Sequence, residues 1–182
     1  MSSLKIRDAN PERDAAGCAA IYAPNVEASP TSFEERAPSR DEMAGRIERI
    51  SAAHPWLVAE RHNELLGYAY ACAHRERPAY RWATEVSVYV AEEQRRRGIG
   101  RALYEALFER LRLQRFRVAC AGITLPNEAS VLLHERLGFN AVGVYRRIGW
   151  KAGAWRDVGY WQLDLTPDSD EPPLGPLEPG SA

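Results

Sequence analysis

Between Glu85 and Leu111 the chain reads EVSVYVAEEQRRRGIGRALYEALFERL, in which Arg95, Arg96 and Arg97 are followed by Gly98, Ile99, Gly100 and Arg101. A strand-like run ends just before this cluster and helical spacing begins just after it. The first N–H groups of a helix lack internal partners and carry partial positive charge. Glycine has no Cβ to hold a ligand away from the main chain, and guanidinium groups add charge-assisted bonds to phosphate. The junction therefore has the makings of a phosphate or pyrophosphate site. A solvated basic turn ahead of a helix is the alternative. The spacing is not the dinucleotide-binding fingerprint, because Leu103 stands where the third glycine would be, and no glycine-lysine-serine/threonine element is present.

Two further side chains could move protons. Glu85 stands between Thr84 and Val86 in an apolar run, which suits either a half-buried general base or a strand-end carboxylate facing water. His134 lies on the helix-like run NEASVLLHERLG; histidine titrates near neutrality, and a lone helical histidine also serves as a packing residue. His54, His62 and His74 carry no companion residues at chemical spacing and read as structural or surface side chains. Cys18, Cys72 and Cys120 form no CxxC pair and match no histidine cluster, so they read as reduced, buried thiols, and no metal site is expected.

The elements that must position these residues follow from period. LKIRDA alternates as a strand, and Asn10 with Pro11 starts a helix through ERDAAGCAAIYA. PNVEASPTSFEERAPS, with three prolines and no period, reads as a loop whose one large apolar residue is Phe33. Ser39 and Glu42 form a capping box before a helix that puts Met43, Ile47 and Ile50 on one face. WLVAE and LLGYAYACAH make a hairpin about RHNE, RERPAYRW interrupts, and TEVSVYV is a third strand of that group. The helix GRALYEALFERLRLQ, the strand RVACAGI, a helix ending at Gly138 and two last strands complete the order. This predicts one α+β domain over residues 1–166, with a central, mostly antiparallel twisted sheet and about four helices. Residues 167–182 hold five of the twelve prolines and few large apolar residues, so a disordered tail is expected.

With a formal net charge of −1, 45% hydrophobic and 27% charged residues, the chain has no overall basic field for nucleic acid or an anionic membrane. Its start, MSSLKIRDANPERD, lacks a signal-peptide core and no run approaches membrane-spanning length. A soluble, cytoplasmic protein is the expectation.

VSVYV, RRRGIGRALYEAL and GITLPNEASVLLHERLGF together resemble the GNAT superfamily of acetyl-CoA-dependent N-acetyltransferases. PTSFEE, RPAYRWATEVSVYV and GWKAGAWRDVGYWQ extend the resemblance to its phosphinothricin acetyltransferase branch, over all but the tail. The resemblance implies that Arg95 to Arg101 grip the pyrophosphate of coenzyme A. It also implies that Val88, Tyr89 and Val90 contact acetyl-CoA through the main chain and that Asn127 and Ser130 line the pantetheine arm. Glu85 falls on the branch's catalytic glutamate, and His134, where the wider superfamily often has tyrosine, would be acid, base or substrate ligand. A homodimer is implied as well. Substrate recognition is expected from Arg75 and Arg77, placed just before Glu85, with Phe33 and Tyr80 as walls and Tyr104 adding a hydroxyl. The implied reaction is direct acetyl transfer to a small amino acid such as phosphinothricin or methionine sulfoximine or sulfone. Acetylation of protein amines and a non-catalytic coenzyme A sensor are the competing readings.

Overall fold

The arrangement comes from a computed structural model that describes residues 3–166 and 173–180. In chain order the elements are β1 (Lys5–Asp8), α1 (Pro11–Glu27), α2 (Arg40–Ser51), β2 (Trp56–Arg61), β3 (Glu64–Ala73), β4 (Ala83–Val90), α3 (Ile99–Leu113), β5 (Val118–Leu125), α4 (Glu128–Arg136), β6 (Asn140–Lys151) and β7 (Ala154–Asp164). They form one seven-stranded sheet in the order β1-β2-β3-β4-β5-β7-β6. Every pairing is antiparallel except β4 with β5. The element order and the α+β architecture are those the periodicity predicts.

Strand alternation divides the core in two. Trp56 and Val58 of β2 and Tyr68 of β3 pack with Ala15, Cys18 and Tyr22 of α1 and Met43 and Ile47 of α2. Leu57, Ala59, Ala69, Ala71 and Val86 point the other way, against Ile99, Leu103 and Leu107 of α3. Truncating a wholly buried residue such as Leu103 to alanine would cost about 2–5 kcal/mol. The β2–β3 hairpin turns through His62 and Asn63 at φ 52° and 62°, the two positive values a tight two-residue turn requires.

Ser39 accepts from the Glu42 N–H while the Glu42 carboxylate accepts from the Ser39 N–H, as the capping box predicts. Two boundaries differ from the sequence reading. The first helix does not stop before Pro24 but runs to Glu27. Proline removes one N–H from the ladder, yet Ala28 N–H bonds the Pro24 carbonyl and the Asn25 side chain bonds the Ile21 carbonyl, which holds the last turn together.

The second difference is the tail. Residues 167–172 and 181–182 lie outside the described residues. Within 173–180 the chain is attached: Trp82 Nε1 donates to the Leu174 carbonyl, and Leu177 and Gln114 exchange two hydrogen bonds. A proline-rich segment without a core of its own borrows order from main-chain groups of the domain.

Candidate active site

Strands β4 and β5 pair only at Ala83–Val118, Thr84–Ala119 and Glu85–Cys120. Beyond that point β5 keeps its partner β7 as far as Leu125, and β4 keeps β3 as far as Val90. The two strands therefore part, and the main-chain groups of the Val86–Val90 stretch that face β5 have no ladder partner there. This is the free backbone expected at Val88, Tyr89 and Val90. Their side chains serve the two cores: Val88 and Val90 lie against the α3 layer, while Tyr89 packs on Tyr22 and Tyr68.

At the open end of the cleft stands the arginine-glycine turn. Gly98 is the N-cap of α3 at φ 80°, a conformation that disfavours side chains, and no side chain caps the helix. Ile99 is buried and anchors the first turn, while Arg95, Arg96 and Arg97 are exposed. Arg97 reaches Gln94 at 3.3 Å, and Arg101 is held by Glu105 at 2.7 Å. A Cβ on Gly100 would stand 3.5–3.8 Å from Leu133, Val90 and Val88. The start of α3, the end of β4 and α4 thus meet at Gly100. Uncapped N–H groups beside exposed guanidinium groups suit a pyrophosphate.

Helix α4 carries Asn127, Ser130 and His134. Asn127 is its N-cap and accepts from the Ser130 N–H at 3.2 Å. His134 is buried, with Nδ1 2.8 Å from the Ser130 carbonyl and Nε2 3.1 Å from the Tyr104 hydroxyl. The carbonyl can only accept, so Nδ1 carries the proton and Nε2 accepts from Tyr104. Burial pushes the imidazole below its ordinary value, with the Ser130 bond opposing. Both nitrogens of His134 are thus occupied by hydrogen bonds in a buried ring. Tyr104, expected on the substrate, is also wholly buried, stacked on Phe108, and spends its hydroxyl on His134.

Glu85 lies on the α1–α2 side of the sheet, in a cross-strand row between Cys72 of β3 and Cys120 of β5. Its side chain is 38% exposed, and Oε1 lies 3.1 Å from Nδ1 of His74. Tyr80 meets the His74 ring edge-on at 5.8 Å, which joins the predicted wall to the predicted base. Burial, reinforced by Glu85, pushes the Cys72 thiol up to about 11. At Cys120 burial and Glu85 act in the same direction, with Arg75 opposing. Burial thus disfavours the thiolate at both positions. Tyr160 also lies within the field of Glu85 and Arg75.

His74, against Glu85, is a residue that the sequence reading left as structural or surface. The usable signal for His74 was parity: it stands two residues after Cys72 and so shares its face. That signal means nothing until the β3–β4 register is known.

The long loop crosses this same side. Tyr22 bonds Ser32 at 2.7 Å and Glu34 at 2.9 Å, Arg46 grips Glu34 with two bonds, Thr124 bonds the Thr31 carbonyl and Lys151 bonds the Glu34 carbonyl. Phe33 lies so close over Gly149 of β6 that a Cβ there would come within 2.2 Å of its ring. Arg75 and Arg77, expected as a pair, both line a cavity of about 390 Å³ with His54, Phe116 and Leu177, and Arg75 opposes the upward shift at Cys120 and Tyr160.

Comparison with known proteins agrees with this architecture. Residues 6–159 match the family model described as an acetyltransferase (GNAT) domain. The phosphinothricin N-acetyltransferase of Streptomyces viridochromogenes is 39% identical over 152 residues, 84% of this chain and 83% of that one. The L-methionine sulfoximine/L-methionine sulfone acetyltransferase of Pseudomonas aeruginosa is 37% identical over 172 residues, 93% of this chain and 99% of that one. Among solved structures, a GNAT superfamily phosphinothricin acetyltransferase from Sinorhizobium meliloti in complex with acetyl-CoA superposes with a TM-score of 0.89 at 35% identity, covering 96% of this chain and 94% of that chain.

Proposed function

The chain belongs to the GNAT family of acetyltransferases, and from that premise we propose that it acetylates the amine of a small amino acid carrying a second compact polar group, such as phosphinothricin or methionine sulfoximine or sulfone. The activities named for these relatives support this substrate class. The observation that carries the reading is the position of Glu85, an acceptor at the point where β4 and β5 part.

Acetyl-CoA supplies a thioester whose carbonyl carbon the amine attacks. The uncapped start of α3 with Arg95, Arg96 and Arg97 fits its pyrophosphate, and the unpaired main chain at Val88–Val90 fits the pantetheine and the carbonyl oxygen as that oxygen gains charge. Glu85 takes a proton from the substrate ammonium, the C–N bond forms, the C–S bond breaks, and the amine's remaining excess proton ends on the departing sulfur. Holding both reactants in one cleft removes entropy from the barrier, an effect worth about 7–11 kcal/mol in well-oriented cases. Arg75, near Glu85, suits the substrate's anionic group, while Phe33 and Tyr80 suit the walls. Asn127 and Ser130 support the cleft as the cap of α4.

A cytoplasmic homodimer completes the proposal. The edge strand β6 and its partner present Val142, Val144, Tyr145, Ile148, Trp150 and Trp155, each 46–65% exposed, an apolar edge that a second copy would cover.

The test is thiol release from acetyl-CoA with a panel of amines. Phosphinothricin and methionine sulfoximine should have the highest kcat/KM. A preference for polyamines or lysine peptides would overturn the substrate assignment.

A further inference from the structure

We propose that His74 is a positioning residue for acetyl transfer: its Nδ1–H fixes one oxygen of Glu85 so that the other faces the incoming amine. The inference rests on the reading of Glu85 as the base.

Strand β3 pairs with β4 so that Cys72 faces Glu85 across the ladder. His74 follows β3 by one residue and returns to the Cys72 face, which brings Nδ1 to 3.1 Å from Oε1. An ionised carboxylate can only accept, so the ring nitrogen donates. Glu85 Oε2 bonds no other described residue, and the carboxylate is partly open to the cleft. One oxygen is thus occupied and the other available, with the rotation of the carboxylate restricted by a single donor.

The imidazole is itself held. It is 18% exposed, and the Tyr80 ring meets it edge-on. Among ionisable groups, Tyr80 meets the imidazole, Cys72 and Cys120 flank Glu85 across the ladder, and Arg75 and Tyr160 lie within its electrostatic reach; among the described residues none of them hydrogen-bonds the carboxylate. His74 is therefore the one described side chain that orients it. The imidazole gains and loses no proton in the reaction; the ammonium proton goes to Oε2 and on to solvent.

Two substitutions separate the hydrogen bond from the packing. His74→Phe keeps a ring against Tyr80 and removes the donor. His74→Asn keeps an amide N–H close to the position of Nδ1. Steady-state kinetics with methionine sulfoximine should show kcat about 10- to 100-fold lower in His74→Phe with an unchanged acetyl-CoA KM, and about threefold lower or less in His74→Asn. In a Glu85→Gln background His74→Phe should have almost no further effect. Wild-type kcat in His74→Phe, or equal losses in both variants, overturns the inference. If Glu85→Gln alone is fully active, the base assignment itself has failed. If Glu85→Gln is inactive while His74→Phe is normal, only the role of His74 has failed. The imidazole nitrogen NMR shifts of His74 in the wild-type chain give a readout that needs no change at that position: the Nδ1–H tautomer supports the proposal and the Nε2–H tautomer overturns it.

Discussion

Glu85 and Cys120 are the last residues in register between β4 and β5, and the sheet opens immediately beyond them. One carboxylate thereby stands at the apex of a cleft whose walls are strand backbone on one side and β5 with α4 on the other. The apex is held by pairing on both flanks, since Glu85 also faces Cys72 of β3. A group placed there is rigidly positioned while the backbone next to it remains free to bind.

Glu85→Gln keeps size and loses the charge. It should lower kcat by about 10²–10⁴ and leave the acetyl-CoA KM unchanged. Steady-state kinetics over a range of pH is the check; activity near wild type would move the base to another residue.

Arg95→Gln combined with Arg96→Gln should raise the acetyl-CoA KM about tenfold or more, with kcat at saturation retained. Both side chains are exposed, so the melting temperature should not change. These are cleaner probes than Gly98→Val, which would force a β-branched residue to φ 80° and mix strain with binding. An unmoved KM would remove the pyrophosphate assignment.

Gly149→Ala puts a Cβ where the ring of Phe33 now lies. Displacing Phe33 should raise the KM for the amine several-fold without altering that for acetyl-CoA. Equal changes in both would mean that the loop supports the whole cleft and not the amine pocket.

Burial holds His54 and His134 below the ordinary value of 6.5, with a hydrogen bond to Ser130 opposing at His134. The unfolded chain then binds protons that the folded chain refuses. The stability these neutral rings contribute is complete above about pH 6.5 and is lost as pH falls from there toward the folded values. Melting temperature should decline from about pH 7 to about pH 5. His134→Phe should melt lower, because Tyr104 loses its partner, yet show a flatter decline; an unchanged slope would mean His134 does not titrate with unfolding.

Deleting the chain after Thr166 removes the three hydrogen bonds at Trp82 and Gln114. The melting temperature should fall by a few degrees, at roughly 0.5–1.5 kcal/mol per bond lost, while kcat with methionine sulfoximine stays the same. An unchanged melting temperature would show that the attachment contributes nothing in solution.

Local chemistry was legible in the sequence wherever a residue's role depends on its chain neighbours. The capping box of Ser39 and Glu42, the polar turn RHNE between β2 and β3 and the glycines at the start of α3 follow from spacing and backbone preference, and all are present. The element order followed as well, and with it the α+β architecture. What the tertiary structure decided are the relations between distant segments. Register brought His74 to Glu85 and buried Tyr104 and His134 against each other. Each of these depends on which strand lies beside which and by how many residues it is offset. A shift of one residue would turn every side chain of β4 to the opposite face, and that offset is fixed by the packing of two cores at once, not by any local stretch of sequence.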